Sequence, residues 1–335
     1  MGWQLKGNRG ILHGYVFISR KVRFKKMEKK YTSVYQKPAV LVSLALLCTA
    51  LWGSASPTIK ISYELFRIDA TDFYAKCFIA GIRFFIAGLL VAGFEMIQKR
   101  KLLLPPVKEL PGLLGLGLVQ TSLQYICFYT GLAYTTGARG ALFSSLDGFF
   151  IVLITPLIFR GQKLTGRKLL GCLLGFGGLV LTSAGTNFGE LVGFTLKGDG
   201  AVMLSSLCFA MSFFYAKKLM ERMSAPMVTA WQMMIGAVVL LVVGAAGGGR
   251  MYWGNGLPSL LVLFYLCLLS AVAYTVWSLL MQHNPVHKVS ILKLFTPIFG
   301  AVFSAFLLGE SPFTMVNVMA LILVCSGIWM INWER

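Results

Sequence analysis

Residues 286–332 read VHKVSILKLFTPIFGAVFSAFLLGESPFTMVNVMALILVCSGIWMIN, two apolar runs parted by GESP, with one charge, Lys293, well inside the first run. The same outline occurs at 137–185, GARGALFSSLDGFFIVLITPLIFRGQKLTGRKLLGCLLGFGGLVLTSAG. Laid over each other, Gly161-Gln162 falls on Gly309-Glu310, and with one inserted residue Gly178 falls on Gly327. If each run is a membrane span, the copies are offset by five spans, an odd number, and enter the bilayer in opposite directions. Inverted repeats of this kind characterise secondary transporters, in which the two halves rock about a midplane site.

Composition supports the membrane reading. Of 335 residues, 57% are hydrophobic and 13% charged, about half the charged share of an average soluble domain. Runs of about 17–25 apolar residues match a hydrocarbon core of roughly 30 Å. Such runs fall at Pro38 to Lys60, Phe73 to Ile97, Pro111 to Ala133, Gly137 to Phe159 and Gly166 to Gly185. Five more fall at Gly198 to Ala216, Pro226 to Ala246, Leu257 to Met281, Val286 to Leu308 and Phe313 to Trp333. The expected fold is an all-α integral membrane protein of ten transmembrane helices, arranged as two inverted five-helix repeats over 38–185 and 198–333. Nothing outside these runs is long enough to bury a separate soluble core.

Basic residues set the orientation. With the amino terminus inside, the tail 1–37 holds ten Lys or Arg and the other inner loops thirteen, against six in the outer loops. Positive residues favour the cytoplasmic side, so both termini are expected there, in a bacterial inner membrane. The formal charge of +19 then has a topological reason, and no nucleic-acid motif is present to give it another. Residues 1–26 lack a small-residue cleavage site and a myristoylation signal. They are read as a disordered extension or as a start-site artefact, since Met27 opens a more ordinary lead, MEKKYTSVYQKPAV.

Several familiar chemistries are missing. The seven cysteines all lie inside expected spans with no CxxC pair, and are read as packing residues. His283 and His287 are four apart, but Asn284-Pro285 breaks the segment between them and no third ligand is near, so no metal site is expected. The loop GQKLTGRK at 161–168 imitates a phosphate-binding loop, yet Arg167 stands where the lysine must be and Lys168 where the hydroxyl must be. GLLGLG at 112–117 lies inside an apolar run, unlike a dinucleotide loop. No GxSxG or HExxH occurs, so neither an enzyme nor a bound cofactor is expected. Gly171, Gly175 and Gly178, at helical spacing, form a smooth strip for close backbone approach.

Three stretches carry a family resemblance: ALWGSASPTIK near the end of the first span, AGIRFFIAGLL in the second, and TPIFGAVFSAFLLGES before the last. They resemble the EamA-type transporters of the drug/metabolite transporter superfamily, over roughly Pro38 to Trp333. The resemblance implies a ten-helix, two-repeat carrier of small organic solutes, often outward. One departure is Gln162, where the family usually has a glutamate, as Glu310 is in the second copy.

Interior charges define the candidate site. A charge facing lipid at the bilayer centre costs on the order of 2.5–3.5 kcal/mol, so Lys293, Asp147 and Arg83 should face the bundle interior. Lys293 and Asp147, on corresponding helices of the two repeats, are read either as an ion pair joining the repeats or as lining of the substrate path, with snorkelling of Lys293 to the cytoplasmic interface as the third reading. Arg83 is read as bonded to backbone carbonyls or a neighbouring helix end, or else as a substrate contact. Two cations against one carboxylate favour a solute carrying carboxylate or phosphate over a lipophilic cation. The first span also lacks the glutamate of the related small multidrug exporters. Gln120, Gln124, Tyr125, Tyr129, Trp231, Gln232, Tyr274 and Trp277 are candidates to complete a mixed cavity, a minority of them touching substrate.

The reading that follows is a secondary exporter or exchanger of zwitterionic or anionic metabolites such as amino acids, working by alternating access among membrane lipids. Proton or counter-substrate coupling and a homodimeric assembly stay open. The alternatives are a polytopic scaffold or sensor that does not transport, and a membrane enzyme acting on lipid intermediates. In a cysteine-free background, Lys163→Cys is expected to react with an impermeant maleimide only from the cytoplasmic side and Ser311→Cys only from outside. Outside labelling of Lys163→Cys overturns the inverted repeat.

Overall fold

The computed structural model describes residues 34–69, 71–100, 104–135, 143–144, 146–158, 165–184, 194–253, 255–308 and 315–332. The tail before 34, the loop around Gln162, and Gly309-Glu310 lie outside them. The described residues are helical, without strands. In chain order the helices are α1 (Pro38–Leu65), α2 (Phe73–Lys99), α3 (107–132), α4 (Leu146–Ile158), α5 (Gly166–Ala184), α6 (Leu196–Met220), α7 (Ala225–Ala246), α8 (Leu257–His283), α9 (286–308) and α10 (Met315–Asn332). Among the described residues, five of these, α1, α2, α6, α7 and α8, are long and apolar enough to cross a membrane on length and composition.

The bounds differ from the sequence reading where local chemistry intervenes. α1 does not stop at Lys60 but runs through Pro57 to Leu65. A proline there removes one backbone donor, which membrane helices tolerate when nearby hydroxyls and helices satisfy the freed groups. Ser54 and Thr58 hydroxyls donate to the carbonyls of Leu51 and Ser54, each at 2.8 Å, on either side of the Gly53 carbonyl that the missing donor leaves. α3 starts earlier than expected, with a 3-10 turn at Val107–Glu109, and is split by a π turn at Leu118–Leu123. α9 likewise contains a 3-10 turn, Ile291–Phe295, between Val286–Ser290 and Thr296–Leu308.

Helix partners follow a regular scheme. α1 packs on α8 and α9, α6 packs on α3 and α4, α2 packs on α7 and α8, α7 packs on α2 and α3, and α5 packs on α10. Exchanging each helix with the one five places along leaves this scheme unchanged. α5 and α10 meet at glycines. A Cβ on Gly327 would lie 2.5 Å from the Gly171 carbonyl oxygen and 2.8 Å from the Gly175 nitrogen, and one on Gly171 would lie 2.8 Å from the Gly327 carbonyl oxygen. The glycine strip seen in the sequence is thus the seat of a backbone-to-backbone contact, in which side chains have no room.

Gly327→Leu should therefore force α5 and α10 apart at a cost of about 1–3 kcal/mol, seen as a lower unfolding midpoint and loss of monodisperse protein in detergent. Gly177→Leu, on the partner helix α5 but away from the contact, is the control, since a Cβ there meets nothing within 4 Å. Equal behaviour of the two variants would show that the contact contributes nothing.

Candidate functional site

Lys293 owes its position to a proline. In a regular helix the N–H at 297 would bond the carbonyl at 293, but Pro297 has no N–H to give. The Lys293 carbonyl is instead taken by the Thr296 N–H, three residues on, which is the bond of a 3-10 turn. This tightening holds Lys293 at the centre of Ile291–Phe295, between neighbours Leu292 and Leu294 that are both buried.

The ammonium of Lys293 donates to Asp147 Oδ2 on α4, with 15% of the lysine side chain and 10% of the aspartate side chain exposed. Three rings surround it. The Phe209 centroid lies 3.4 Å from Nζ, that of Trp52 5.3 Å and that of Phe213 5.9 Å. Ring faces attract cations, each by about 0.5–2 kcal/mol depending on desolvation. The pair therefore has both a counter-charge and a polarisable wall, and it ties α4 and α9 to α1 and α6.

Beside the pair lies a cavity lined by Trp52, Gln120, Phe209, Phe213, Tyr274 and Trp277, reaching Met220 and Met281. Gln120 arrives there from the π turn of α3, a distortion that recurs at functional sites. The turn frees backbone acceptors, and Ser122 answers by donating to the Gly236 carbonyl at 3.1 Å and to the Gly117 carbonyl at 3.4 Å. Trp52 packs edge-on against Tyr274 and Trp277, with centroids 5.6 and 5.0 Å away. The Tyr274 hydroxyl meets that of Tyr125 at 3.3 Å. The indole N–H of Trp277 is buried without a partner among the described residues, so a donor is available to an acceptor placed in this region.

The other candidates lie elsewhere. Gln232 accepts from the Thr121 hydroxyl at 2.7 Å, tying α3 to α7. Gln124 approaches Ser205 at 3.5 Å, and Trp231 packs against the core. Arg83 is buried but not bonded to a carbonyl or a helix end as expected. Its Nε donates to the Ser270 hydroxyl at 2.7 Å, because that hydroxyl, already donating to the Leu266 carbonyl, presents free lone pairs. Tyr129 and Arg83 line a second, smaller cavity. Sequence reasoning missed Trp52, Phe209 and Phe213. The only signal for them was that Trp52 lies in ALWGSASPTIK and that Phe209 and Phe213 are one helical turn apart.

The family profile described as EamA-like transporter family matches residues 40–184 and again 196–333. The chain belongs to the EamA-like transporter family. It is 24% identical to an uncharacterized transporter of Archaeoglobus fulgidus, over 88% of this chain and 99% of that one. It is also 24% identical to the "Probable amino-acid metabolite efflux pump" of Salmonella typhimurium, over 85% of this chain and 92% of that one. A solved crystal structure 16% identical superposes with a TM-score of 0.71, over 88% of this chain and 97% of that one, which shows a common fold. This EamA protein is thus a membrane transporter, and the pair and cavity lie within the two matched segments.

Removing one partner of a buried pair strands the other charge, at about 3–5 kcal/mol. Lys293→Ala is expected to lower the yield of folded protein, and Lys293→Ala with Asp147→Asn to recover it. Lys293→Arg keeps the charge but replaces a compact ammonium by a planar fork, so it should fold with altered solute preference. Wild-type folding and wild-type flux in Lys293→Ala would rule out both a structural and a transport role for the lysine.

Proposed function

We propose that this EamA protein is a secondary carrier of ten membrane-crossing helices, in two inverted repeats over 38–185 and 198–333, that moves small zwitterionic or anionic metabolites out of the cell by alternating access. The observation that carries this reading is the Lys293–Asp147 pair, held between corresponding helices of the two halves and separated from an aromatic cavity only by the rings of Trp52, Phe209 and Phe213. A zwitterion passing from that cavity through its wall of Trp52, Phe209 and Phe213 would meet the ammonium and the carboxylate behind the rings, and so could exchange with the internal pair charge for charge. Helix partners that are unchanged when each helix is exchanged with the one five along support the inverted repeat.

Both ends carry breakable contacts suited to alternate opening. At one, the Lys217 ammonium donates to the carbonyls of Met281 and Asn284 at 2.8 and 2.6 Å, and Gln282 donates to those of Met220 and Met223 at 2.8 and 3.2 Å. At the other, the Asn255 amide donates to the Leu65 carbonyl at 2.6 Å and the Tyr252 N–H to that of Phe66 at 3.0 Å. With the basic-residue bias, the first end is cytoplasmic. The choice of amino acids follows the charge pattern of the site and the name of the Salmonella typhimurium relative.

Proteoliposomes loaded with a pool of isotopically labelled amino acids should release some members at least tenfold faster than empty-membrane controls, and Asp147→Asn with Lys293→Ala, though folded, should not. No release of any member overturns the substrate class. Chemical conversion of a lipid without translocation overturns the carrier reading.

A further inference from the structure

Three helices pass from the central cavity to a second one, and each meets its residues in the same order. Along α8, Met281, Ser278 and Trp277 line the central cavity, Tyr274 follows, and Ser270 and Leu266 belong to the second site. Along α3, Gln120 is central, Tyr125 follows, and Tyr129 lies in the second cavity. α1 runs likewise from Trp52 to Ser62 and Tyr63. The hydroxyl contact of Tyr125 with Tyr274, at 3.3 Å, stands between the two spaces.

The second cavity holds Arg83, which is 5% exposed. Its guanidinium has five N–H donors, of which one is used among the described residues, on the Ser270 hydroxyl. No carboxylate among the described residues pairs with it. Phe84 lies under it with the centroid 5.0 Å from Cζ, and that ring packs in turn on Tyr125 at 4.7 Å. The nearby charges do not supply the missing partner. Asp72 is occupied in capping the Ala75 N–H at 2.8 Å, and Lys76 adds a second cation 5.5 Å from the Tyr63 ring centroid. A buried cation without a counter-ion is costly unless an anion shares its space.

We propose that Arg83, with the phenols of Tyr63 and Tyr129, forms a second station on the path, which takes the carboxylate of the solute after it passes the Tyr125–Tyr274 contact. This rests on the transport reading above. A planar fork suits a carboxylate, which accepts two parallel N–H bonds; both cavities, each with room for about one water in this arrangement, widen when the solute enters. The solute's remainder would stay on the central side until the tyrosines part. The station therefore confers selection for an anionic group independently of Lys293.

The test uses purified full-length protein and acetate as the probe. Sodium acetate should raise the unfolding midpoint of the wild type by about 2–4 °C at saturating excess, while acetamide, its uncharged counterpart, and gluconate, a bulky anion at matched ionic strength, should not. The acetate response should vanish in Arg83→Gln and persist in the folded Lys293→Ala, Asp147→Asn double variant. Should Arg83→Gln not fold, Ser270→Ala and Arg83→Lys each leave the cation but spoil its aim, and should need several-fold more acetate for the same shift. The station is overturned by absence of an acetate-specific shift in wild type, by its survival in Arg83→Gln, by wild-type dose curves in both milder variants, or by its loss only in the double variant. Because the readout is binding, an intact acetate response alongside no amino-acid flux overturns the amino-acid substrate class and leaves the anion site standing.

Discussion

A cation enclosed by rings in a low-dielectric interior must keep its counter-charge within bonding distance, because neither water nor lipid can take over that role. The Lys293–Asp147 pair satisfies this constraint, and much of the surrounding architecture serves it. α4 and α9 supply the two charges, while α1 and α6 supply Trp52, Phe209 and Phe213. The pair is thus a junction of four helices, two from each matched segment of the chain. Such a pair adds little net stability compared with apolar packing, yet separating its members is costly. That asymmetry suits a device that must return to one arrangement after every excursion.

Much of this was visible in the sequence for a simple reason: a charge in an apolar run is conspicuous and has few places to go. Lys293, Asp147 and Arg83 were found on that ground, and the glycines of α5 on the ground of spacing. The aromatic wall was not visible. One residue in eight or so is aromatic here, 13% of the chain, and nothing local separates a ring that holds an ammonium from one that fills space. Trp52, Phe209 and Phe213 converge only once α1 and α6 are folded against α9. Gln232 shows the converse: a polar residue in a membrane run looks functional, but this one spends its carbonyl on Thr121 and helix association.

Helix interruptions were only half legible. Pro57 and Pro297 are plain in the sequence, but their outcomes differ. Around Pro57 hydroxyls of the same helix occupy nearby carbonyls and α1 continues. Before Pro297 the backbone tightens into a 3-10 turn instead. The π turn at Leu118–Leu123 contains no proline at all. It accompanies the close approach of Gly117 to α7, where a Cβ would lie 2.8 Å from the Gln232 carbonyl oxygen. Tertiary contact, which a single sequence does not display, decides which of these distortions forms.

The cage around Lys293 is already filled by the protein's own ammonium. A site with a resident occupant is never electrically vacant, so if the solute binds here as proposed above, it does not fill a hole but competes with a tethered rival. Its apparent affinity is then the difference between two embraces, and is weaker than the contacts alone would give. Departure is eased to the same degree, because the rival returns as the solute leaves. On the export reading proposed above, such competition would favour turnover at high internal concentrations over the scavenging of traces.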